Sequence, residues 1–236
     1  MPILKVTVFQ KNIHTQITKD QKQKLATAKS DFLLLPELFP SFHSEDKSVA
    51  DKSKRKNAYL DKILEISEYY KGVILGGSIV RELEGKYYYS TPIVQNINLI
   101  DWYDQNNPSE KDFSQGSSDG IYILSGLRFS LFTGEDLNIN NQLKVMKILK
   151  DEKIPIAFHI NSISNFSGYD DDMSFYSKLS KENDLQIVKC SGIGSHNDKR
   201  LDGRSLFATK TGLNWKVAPF ENEAEIIKTL SVSSVT

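Results

Sequence analysis

The stretch GLRFSLFTGEDL, residues 126–137, combines a short apolar segment with a polar turn that follows it directly. The apolar segment, residues 127–132, is typical of a buried strand, and the Gly-containing segment after it indicates a turn. An earlier stretch, LLPELF at residues 34–39, is built in the same way, because an apolar strand predicted at residues 31–35 ends in Pro36-Glu37. Both stretches place carboxylates directly after a predicted strand, and the continuous apolar character of residues 31–35 indicates burial on both faces.

Strands and helices alternate along the rest of the chain, and hairpins are predicted at Glu84-Gly85 and Ser125-Gly126. This alternation indicates an α/β protein with a mixed sheet. We expect a single domain over residues 1–236, with a tail from about residue 221. The other predicted strands are at residues 3–9, 72–80, 87–95, 99–103, 121–124, 154–160, 185–190 and 205–209. Helices are predicted at 18–29, 53–70, 140–150, 173–181 and 221–230, and residues 231–236 are expected to be loose.

Composition excludes several classes of partner. Lys and Arg together number 30, as do Asp and Glu, so the net charge favours neither nucleic acid nor an anionic membrane as partner. The single cysteine, Cys190, excludes an intramolecular disulfide and disfavours a cysteine metal site. The apolar runs are shorter than the about 18 residues that a membrane-spanning helix needs. The first residues have no signal-peptide pattern, so we expect a cytoplasmic protein.

Motifs for cofactors and metals are incomplete. Gly76-Gly77 follows an apolar strand, but Ser78-Ile79-Val80 continues that strand, whereas a dinucleotide site needs glycines that open a helix. The histidines lack a metal-binding spacing, and His159 is interpreted as a hydrogen-bonded histidine of the core. We therefore expect neither a cofactor nor a metal.

Five segments, in order, resemble the nitrilase (carbon–nitrogen hydrolase) superfamily, and the resemblance extends over residues 3–220. It implies a four-layer α-β-β-α sandwich, in which two mixed sheets pack face to face with helices outside. It also implies association through the helical faces, as a homodimer or a larger homo-oligomer. The segments are LLPELF at 34–39, GGS at 76–78 with YYSTPIV at 88–94, GLRFSLFTGEDL at 126–137, LSKEN at 179–183, and GRSLF at 203–207 with Thr211-Gly212.

The resemblance also assigns catalytic positions, two of which have changed. The family uses a Glu as general base, a Lys that stabilises the intermediate and a Cys nucleophile. Glu37 matches the base, Gln105 occupies the lysine position and Gly134 occupies the cysteine position. A second alignment places Thr133 at the cysteine position. A shifted loop would instead make Lys111 the lysine.

These replacements predict a protein without ordinary amidase activity. Such a protein would bind a small amide-like ligand, or serve as a scaffold or structural subunit. An open pocket would favour the ligand, and a filled pocket would favour the structural role. The alternative is an active amide or nitrile hydrolase that uses another nucleophile, such as Thr133.

Glu110 is interpreted as a solvated loop residue and Cys190 as a small buried core residue. Because no lysine faces it, Glu37 is expected to have a raised pKa.

Overall fold

Two mixed β-sheets lie at the centre of the structure, a computed structural model that describes residues 3–41, 48–163, 166 and 168–233. Within these ranges the strands are β1 (Ile3–Gln10), β2 (Phe32–Leu34), β3 (Val73–Leu75), β4 (Ile79–Leu83), β5 (Lys86–Gln95), β6 (Asn98–Asp104), β7 (Ile121–Leu124), β8 (Leu127–Thr133), β9 (Ile156–Ile160), β10 (Gln186–Cys190), β11 (Gly194–His196), β12 (Lys199–Leu201), β13 (Leu206–Thr209), β14 (Gly212–Lys216) and β15 (Ile226–Ser233). The helices are α1 (Lys19–Thr27), α2 (Val49–Lys54), α3 (Lys56–Tyr69), α4 (Gln142–Asp151) and α5 (Tyr169–Asn183).

The strand order brings the ends of several strands together. The first sheet has the order β15-β1-β2-β3-β5-β4, and β6 also pairs with β5. The second sheet has the order β14-β13-β10-β9-β8-β7, while β11 and β12 form a separate hairpin. Strands β1, β2 and β3 are parallel, and so are β8, β9 and β10. The residues that follow neighbouring parallel strands therefore lie at the same edge of each sheet.

Apolar side chains fill the space between the two sheets. Phe32 of β2 packs against Phe129 of β8 and Phe158 of β9, with ring centroids 5.4 Å apart in both pairs. All three rings are fully buried. Burial of such large apolar side chains is the dominant favourable contribution to folding.

Helices cover the outer faces of both sheets. Ile63 and Ile66 of α3 pack in one outer cluster with apolar residues of β2 and β3. Met146 of α4 and Leu179 of α5 pack in the other, against β9, β10 and β13. The predicted four-layer α-β-β-α sandwich is therefore confirmed. None of the helices in the described ranges is long and apolar enough to cross a membrane.

The structure corrects the predicted tail. The helix predicted at residues 221–230 is wrong, because β15 occupies Ile226–Ser233 and pairs antiparallel with β1 along its whole length. Leu230 and Val232 are buried, at the spacing of two residues that a strand requires. Residues 231–233, expected to be loose, belong to this strand, and residues 234–236 lie outside the described residues.

Strands β11, β12 and β14 were not predicted. The helix predicted at residues 53–70 is found as α2 and α3, which meet at Arg55.

Candidate functional site

Glu37 lies just beyond the carboxyl end of β2 and connects the two sheets. Its Oε2 atom accepts hydrogen bonds from the backbone N–H groups of Ser162 at 2.7 Å and Ile163 at 3.4 Å. Ser162 follows β9, and its hydroxyl donates to the backbone carbonyl of Glu37 at 3.0 Å. Glu37 is only 6% exposed. These bonds hold the buried carboxyl in one position between the end of β2 and the end of β9.

Gly134 forms the turn that follows β8. Its φ of +53° lies in the left-handed region, which glycine adopts without the steric penalty of a side chain. Its carbonyl oxygen accepts hydrogen bonds from His159 Nε2 and Asn161 Nδ2, both at 2.9 Å. Because His159 donates through Nε2, its Nδ1 atom accepts from the Tyr176 hydroxyl at 2.9 Å. Two side chains from β9 and its end thus fix the position of the turn.

Gln105 completes the cluster from the end of β6. Its backbone N–H donates to Tyr89 and its carbonyl accepts from Gly116, both at 2.9 Å. A Cβ atom built on Gly134 would lie 2.5 Å from Gln105 Nε2 and 2.7 Å from Glu37 Oε1. The structure therefore brings together Glu37, Gln105 and Gly134, the three residues that the resemblance assigns to catalytic positions.

Thr133 points toward β5. Its side chain is 1% exposed, and its Oγ1 atom lies 3.0 Å from Thr91 Oγ1. Thr91 donates its own proton to the Gly77 carbonyl at 2.7 Å. The Thr133 hydroxyl is therefore the donor to Thr91, and its proton is held away from Glu37.

Lys111 and Cys190 occupy very different environments. Lys111 is exposed to solvent. Cys190 is fully buried between the sheets, where its thiol faces the backbone carbonyls of Leu34 at 3.4 Å and Phe9 at 3.6 Å. Burial raises the pKa of Cys190 far above its usual range, so the reactive thiolate is disfavoured. The interpretation of Cys190 as a small core residue is confirmed.

Burial determines the ionisation of the cluster. Desolvation raises the pKa of Glu37 to about 7; two backbone N–H bonds oppose the rise, and Glu135 and Asp136 add to it. Desolvation also raises the pKa of Asp136 to about 6. The same cause lowers the pKa of His159 to about 3, so this imidazole is neutral. The raised pKa expected for Glu37 agrees with its buried position.

The cavity at the cluster is small. Its volume is about 20 Å³, which is room for one water molecule. Besides Glu37, Gln105 and Gly134, it is bordered by Glu110, whose side chain is 34% exposed. Tyr89 donates to Glu110 at 3.3 Å, and His196 Nε2 lies 3.7 Å from the same carboxylate. Glu110 is thus a partly exposed loop residue, as interpreted from the sequence, and it also borders the cavity.

Sequence reasoning missed three contacts around this site. It identified His159 as a hydrogen-bonded core residue, which the structure confirms, but not its bond to Gly134. It singled out neither Asn161 nor Ser162. The available indication was the polar HINS stretch, residues 159–162, at the end of an otherwise apolar strand.

In the described part of the chain, no group of three or more His, Cys, Asp or Glu side chains is arranged to hold a metal ion.

Comparison of the sequence with known families gives no match. No protein-family model matches the chain, and no curated protein matches it. The fold, by contrast, is shared with many solved structures.

Three of these structures illustrate the fold. A carbon–nitrogen hydrolase from Helicobacter pylori has a TM-score of 0.77 at 14% identity, with 98% of this chain and 90% of that chain covered. The amidase from Nesterenkonia sp. AN1, solved as a mutant with an acetamide moiety bound to its active-site cysteine, has a TM-score of 0.77 at 12% identity, with 98% and 90% covered. The glutamine-dependent NAD+ synthetase of Acinetobacter baumannii has a TM-score of 0.77 at 17% identity. The match covers 98% of this chain but 46% of the synthetase, so this chain spans less than half of that protein. The chain thus has the fold of the carbon–nitrogen hydrolases.

Proposed function

We propose that this chain is a catalytically inactive protein of the carbon–nitrogen hydrolase fold, and that it serves as a scaffold or structural subunit. One observation carries the proposal: Gly134 and Gln105 lie beside Glu37, where the family resemblance expects the cysteine and the lysine. A glycine offers no nucleophile, and the Glu37 carboxyl has no thiol from which to remove a proton.

The size of the expected loss supports this proposal. Removing a catalytic nucleophile lowers turnover by about 10⁶. An oxyanion donor contributes roughly 2.7–4 kcal/mol to the transition state. Gln105 carries no positive charge and is only 4% exposed, packed against the turn at Gly134. Two of the three catalytic roles therefore have no suitable side chain.

The geometry of Thr133 argues against the alternative of an active hydrolase. The Thr133 hydroxyl donates to Thr91, and Thr91 donates to a backbone carbonyl. To act as a nucleophile, Thr133 would have to break this bond and reach a base. Glu37 is the base position of the cluster, and its Oε2 atom is bonded to backbone N–H groups that follow β9.

The small cavity favours a structural role over binding of an amide-like ligand. A volume of about 20 Å³ cannot hold even a simple carboxamide, which has several non-hydrogen atoms. Binding of an amide would require Gln105 to leave its buried position. A filled site of this kind is expected of a scaffold or structural subunit.

The purified protein is expected to hydrolyse simple amides, nitriles and N-carbamoyl compounds no faster than buffer does. The physical reason is the absent thiol at position 134. Release of ammonia from a panel of such compounds measures the activity, with Cys190→Ala and Thr133→Val as comparison variants. Turnover that persists in Cys190→Ala but disappears in Thr133→Val would show that a hydroxyl nucleophile operates, and the proposal would be wrong.

As the partner, we propose a second copy of the chain that associates through the helical faces, rather than nucleic acid or a membrane. On the α4 side, Ile139 is 56% exposed and Leu143 is 85% exposed. Apolar side chains of this size favour burial in an interface. A groove of about 450 Å³ between α5 and β14 lies on the same outer layer.

Leu143→Asp is expected to weaken dimerisation at least about tenfold, because a charge would be buried in the contact. Sedimentation equilibrium of the wild type and the variant measures this change. Leu83→Asp on β4, where the leucine is 46% exposed, is the matched control and should leave dimerisation unchanged. A wild type that remains monomeric at high concentration would contradict the proposed association.

A further inference from the structure

The hairpin formed by β11 and β12, residues 194–201, stands apart from both large sheets. In the described part of the chain its two strands pair with each other and with no other strand. A two-stranded hairpin by itself is at best marginally stable in water. This hairpin is anchored at its ends, by the backbone bond from Ile13 to Ile193 at 3.1 Å and by buried Leu201. Its middle therefore depends on side-chain contacts to stay in place.

His14 connects the middle of this hairpin to the segment that follows β2. Its Nε2 atom lies 2.6 Å from the carbonyl oxygen of Ser195 in β11, and its Nδ1 atom lies 2.7 Å from the carbonyl oxygen of Ser41. Both are hydrogen-bond distances, and a carbonyl oxygen only accepts. A neutral imidazole has one N–H group, so its other nitrogen would direct a lone pair at a carbonyl oxygen. The imidazolium ion has two N–H groups and satisfies both carbonyls.

The backbone of β11 is shaped for this close contact. A Cβ atom built on Gly194, whose φ is +118°, would lie 3.3 Å from His14 Cδ2 and 3.1 Å from Asn12 Oδ1. Asn12 Oδ1 in turn accepts a hydrogen bond from the backbone N–H of His14 at 3.0 Å. A side chain at position 194 would push the imidazole away from the hairpin, whereas glycine permits both the approach and the positive φ.

The hairpin also covers the Glu37 cluster, through His196 of β11. The His196 side chain is 10% exposed and borders a cavity of about 40 Å³. Leu38 and Tyr89 border this cavity and also the cavity of about 20 Å³ at Glu37. His196 Nε2 lies 3.7 Å from the carboxylate of Glu110 at the rim of the second cavity. Movement of the hairpin would therefore uncover both cavities.

We propose that the β11–β12 hairpin is a pH-sensitive strap, which the imidazolium ion of His14 holds closed over the Glu37 cluster. Loss of one ring proton to water replaces a hydrogen bond by a repulsive contact between a lone pair and a carbonyl oxygen. The strap is therefore closed at low pH and released as the pH rises through the range in which histidines lose their charge, about pH 5 to 8. The inference goes beyond the proposed function, because it concerns how the site is covered and not which reaction occurs there.

Other ionisable groups lie near the strap, and none of those described is hydrogen-bonded to His14. Protonation of His196 would attract Glu110 and so act in the same direction as protonation of His14. Glu37 titrates in the same range, because desolvation raises its pKa to about 7. The remaining charged groups of the surrounding elements are Lys11 and Glu225, which pair with each other, Arg200, which pairs with Asp202 and Glu223, and Lys52, Glu135, Asp136, Asp198 and Lys199.

A nitroxide spin label on Lys199→Cys tests the proposal. Lys199 is exposed in β12, and the single native cysteine, Cys190, is fully buried. Between pH 5 and pH 8 the ratio of mobile to immobile label is expected to rise about tenfold, as for the loss of one charge-assisted hydrogen bond. Nitrogen NMR of the unlabelled wild type should show one ring nitrogen of His14 losing its proton in the same pH step. A His14 ring that is already neutral at pH 5 would overturn the proposal, and this measurement needs no variant.

One variant and two controls identify the group that operates the strap. His14→Gln does not titrate, and its two donors lie on one nitrogen, so it cannot bridge the two carbonyls. In this variant the label should be as mobile at pH 5 as at pH 8. His196→Gln and Glu37→Gln remove the other groups that titrate in this range and should retain the pH response. An unchanged response in His14→Gln would show that His14 does not hold the strap, and the proposal would be wrong.

Discussion

Replacing Asp172 by alanine is expected to lower the free energy of unfolding by about 3–5 kcal/mol, the range typical for breaking one side of a buried ion pair. Asp172 and Lys189 form an ion pair in which both side chains are 1% exposed, and both carboxylate oxygens contact Lys189 Nζ, at 3.0 and 2.8 Å. Without Asp172, the Lys189 ammonium would remain in the core without its partner. Desolvation already lowers the pKa of Lys189, and Asp172 opposes this shift. Urea denaturation at pH 7 measures the change.

Asp171→Ala is the matched control for this experiment. Asp171 lies in the same first turn of α5 but is exposed, so its loss should cost at most about 1 kcal/mol through the helix dipole. The double variant Asp172→Ala, Lys189→Met should recover much of the lost stability, because it removes the unpaired ammonium of Lys189 from the core. If Asp172→Ala lowers the free energy of unfolding no more than Asp171→Ala does, water must reach Lys189.

Replacing Glu37 by glutamine is expected to stabilise the protein by about 3 kcal/mol more at pH 8 than at pH 4, because a pKa difference of one unit corresponds to 1.36 kcal/mol. Burial raises the folded-state pKa of Glu37 from 4.5 to about 7. A carboxyl whose pKa is raised on folding destabilises the protein as pH rises from about 4.5 to about 7. Above that window the cost is constant. The glutamine variant lacks this cost at every pH.

Denaturant titrations of wild type and Glu37→Gln at both pH values provide the measurement. Comparing the two pH values cancels any change in the hydrogen bonds from Ser162 and Ile163, because that change contributes equally at both. Glu152→Gln makes the same substitution at an exposed carboxylate and is the matched control. Equal or larger stabilisation at pH 4 would mean that a cation lies beside Glu37, and catalysis would have to be reconsidered.

The buried ion pair and the candidate site belong to one packed region. Lys189 Nζ lies 5.0 Å from the ring centroid of Tyr176, and Tyr176 donates to His159. His159 in turn donates to the carbonyl of Gly134. Helix α5 is therefore connected to the turn after β8 through side chains that are buried and hydrogen-bonded. This connection holds the turn after β8 in place.

The sequence by itself determined the strands of the interior. The apolar segments at residues 31–35 and 127–132 predicted β2 and β8. The first is continuously apolar, which indicates burial on both faces. In the second, the side chain of Arg128 is exposed. The order of the five family-like segments predicted the four layers. It also assigned Glu37, Gln105 and Gly134 to one site, and the structure places these residues together.

Tertiary structure alone decided the tail and the surroundings of the site. Residues 226–233 became a strand because β1 offers an unpaired edge along its whole length, and pairing over that length outweighs weak local helix preference. At the start of this strand, Glu225 pairs with buried Lys11, which lies 214 residues before it in the chain. Likewise, the bonds from Ser162 to Glu37 and from His159 to Gly134 join segments that are far apart in sequence. No local pattern encodes such contacts, because they exist only after the two sheets have packed and excluded water from between them.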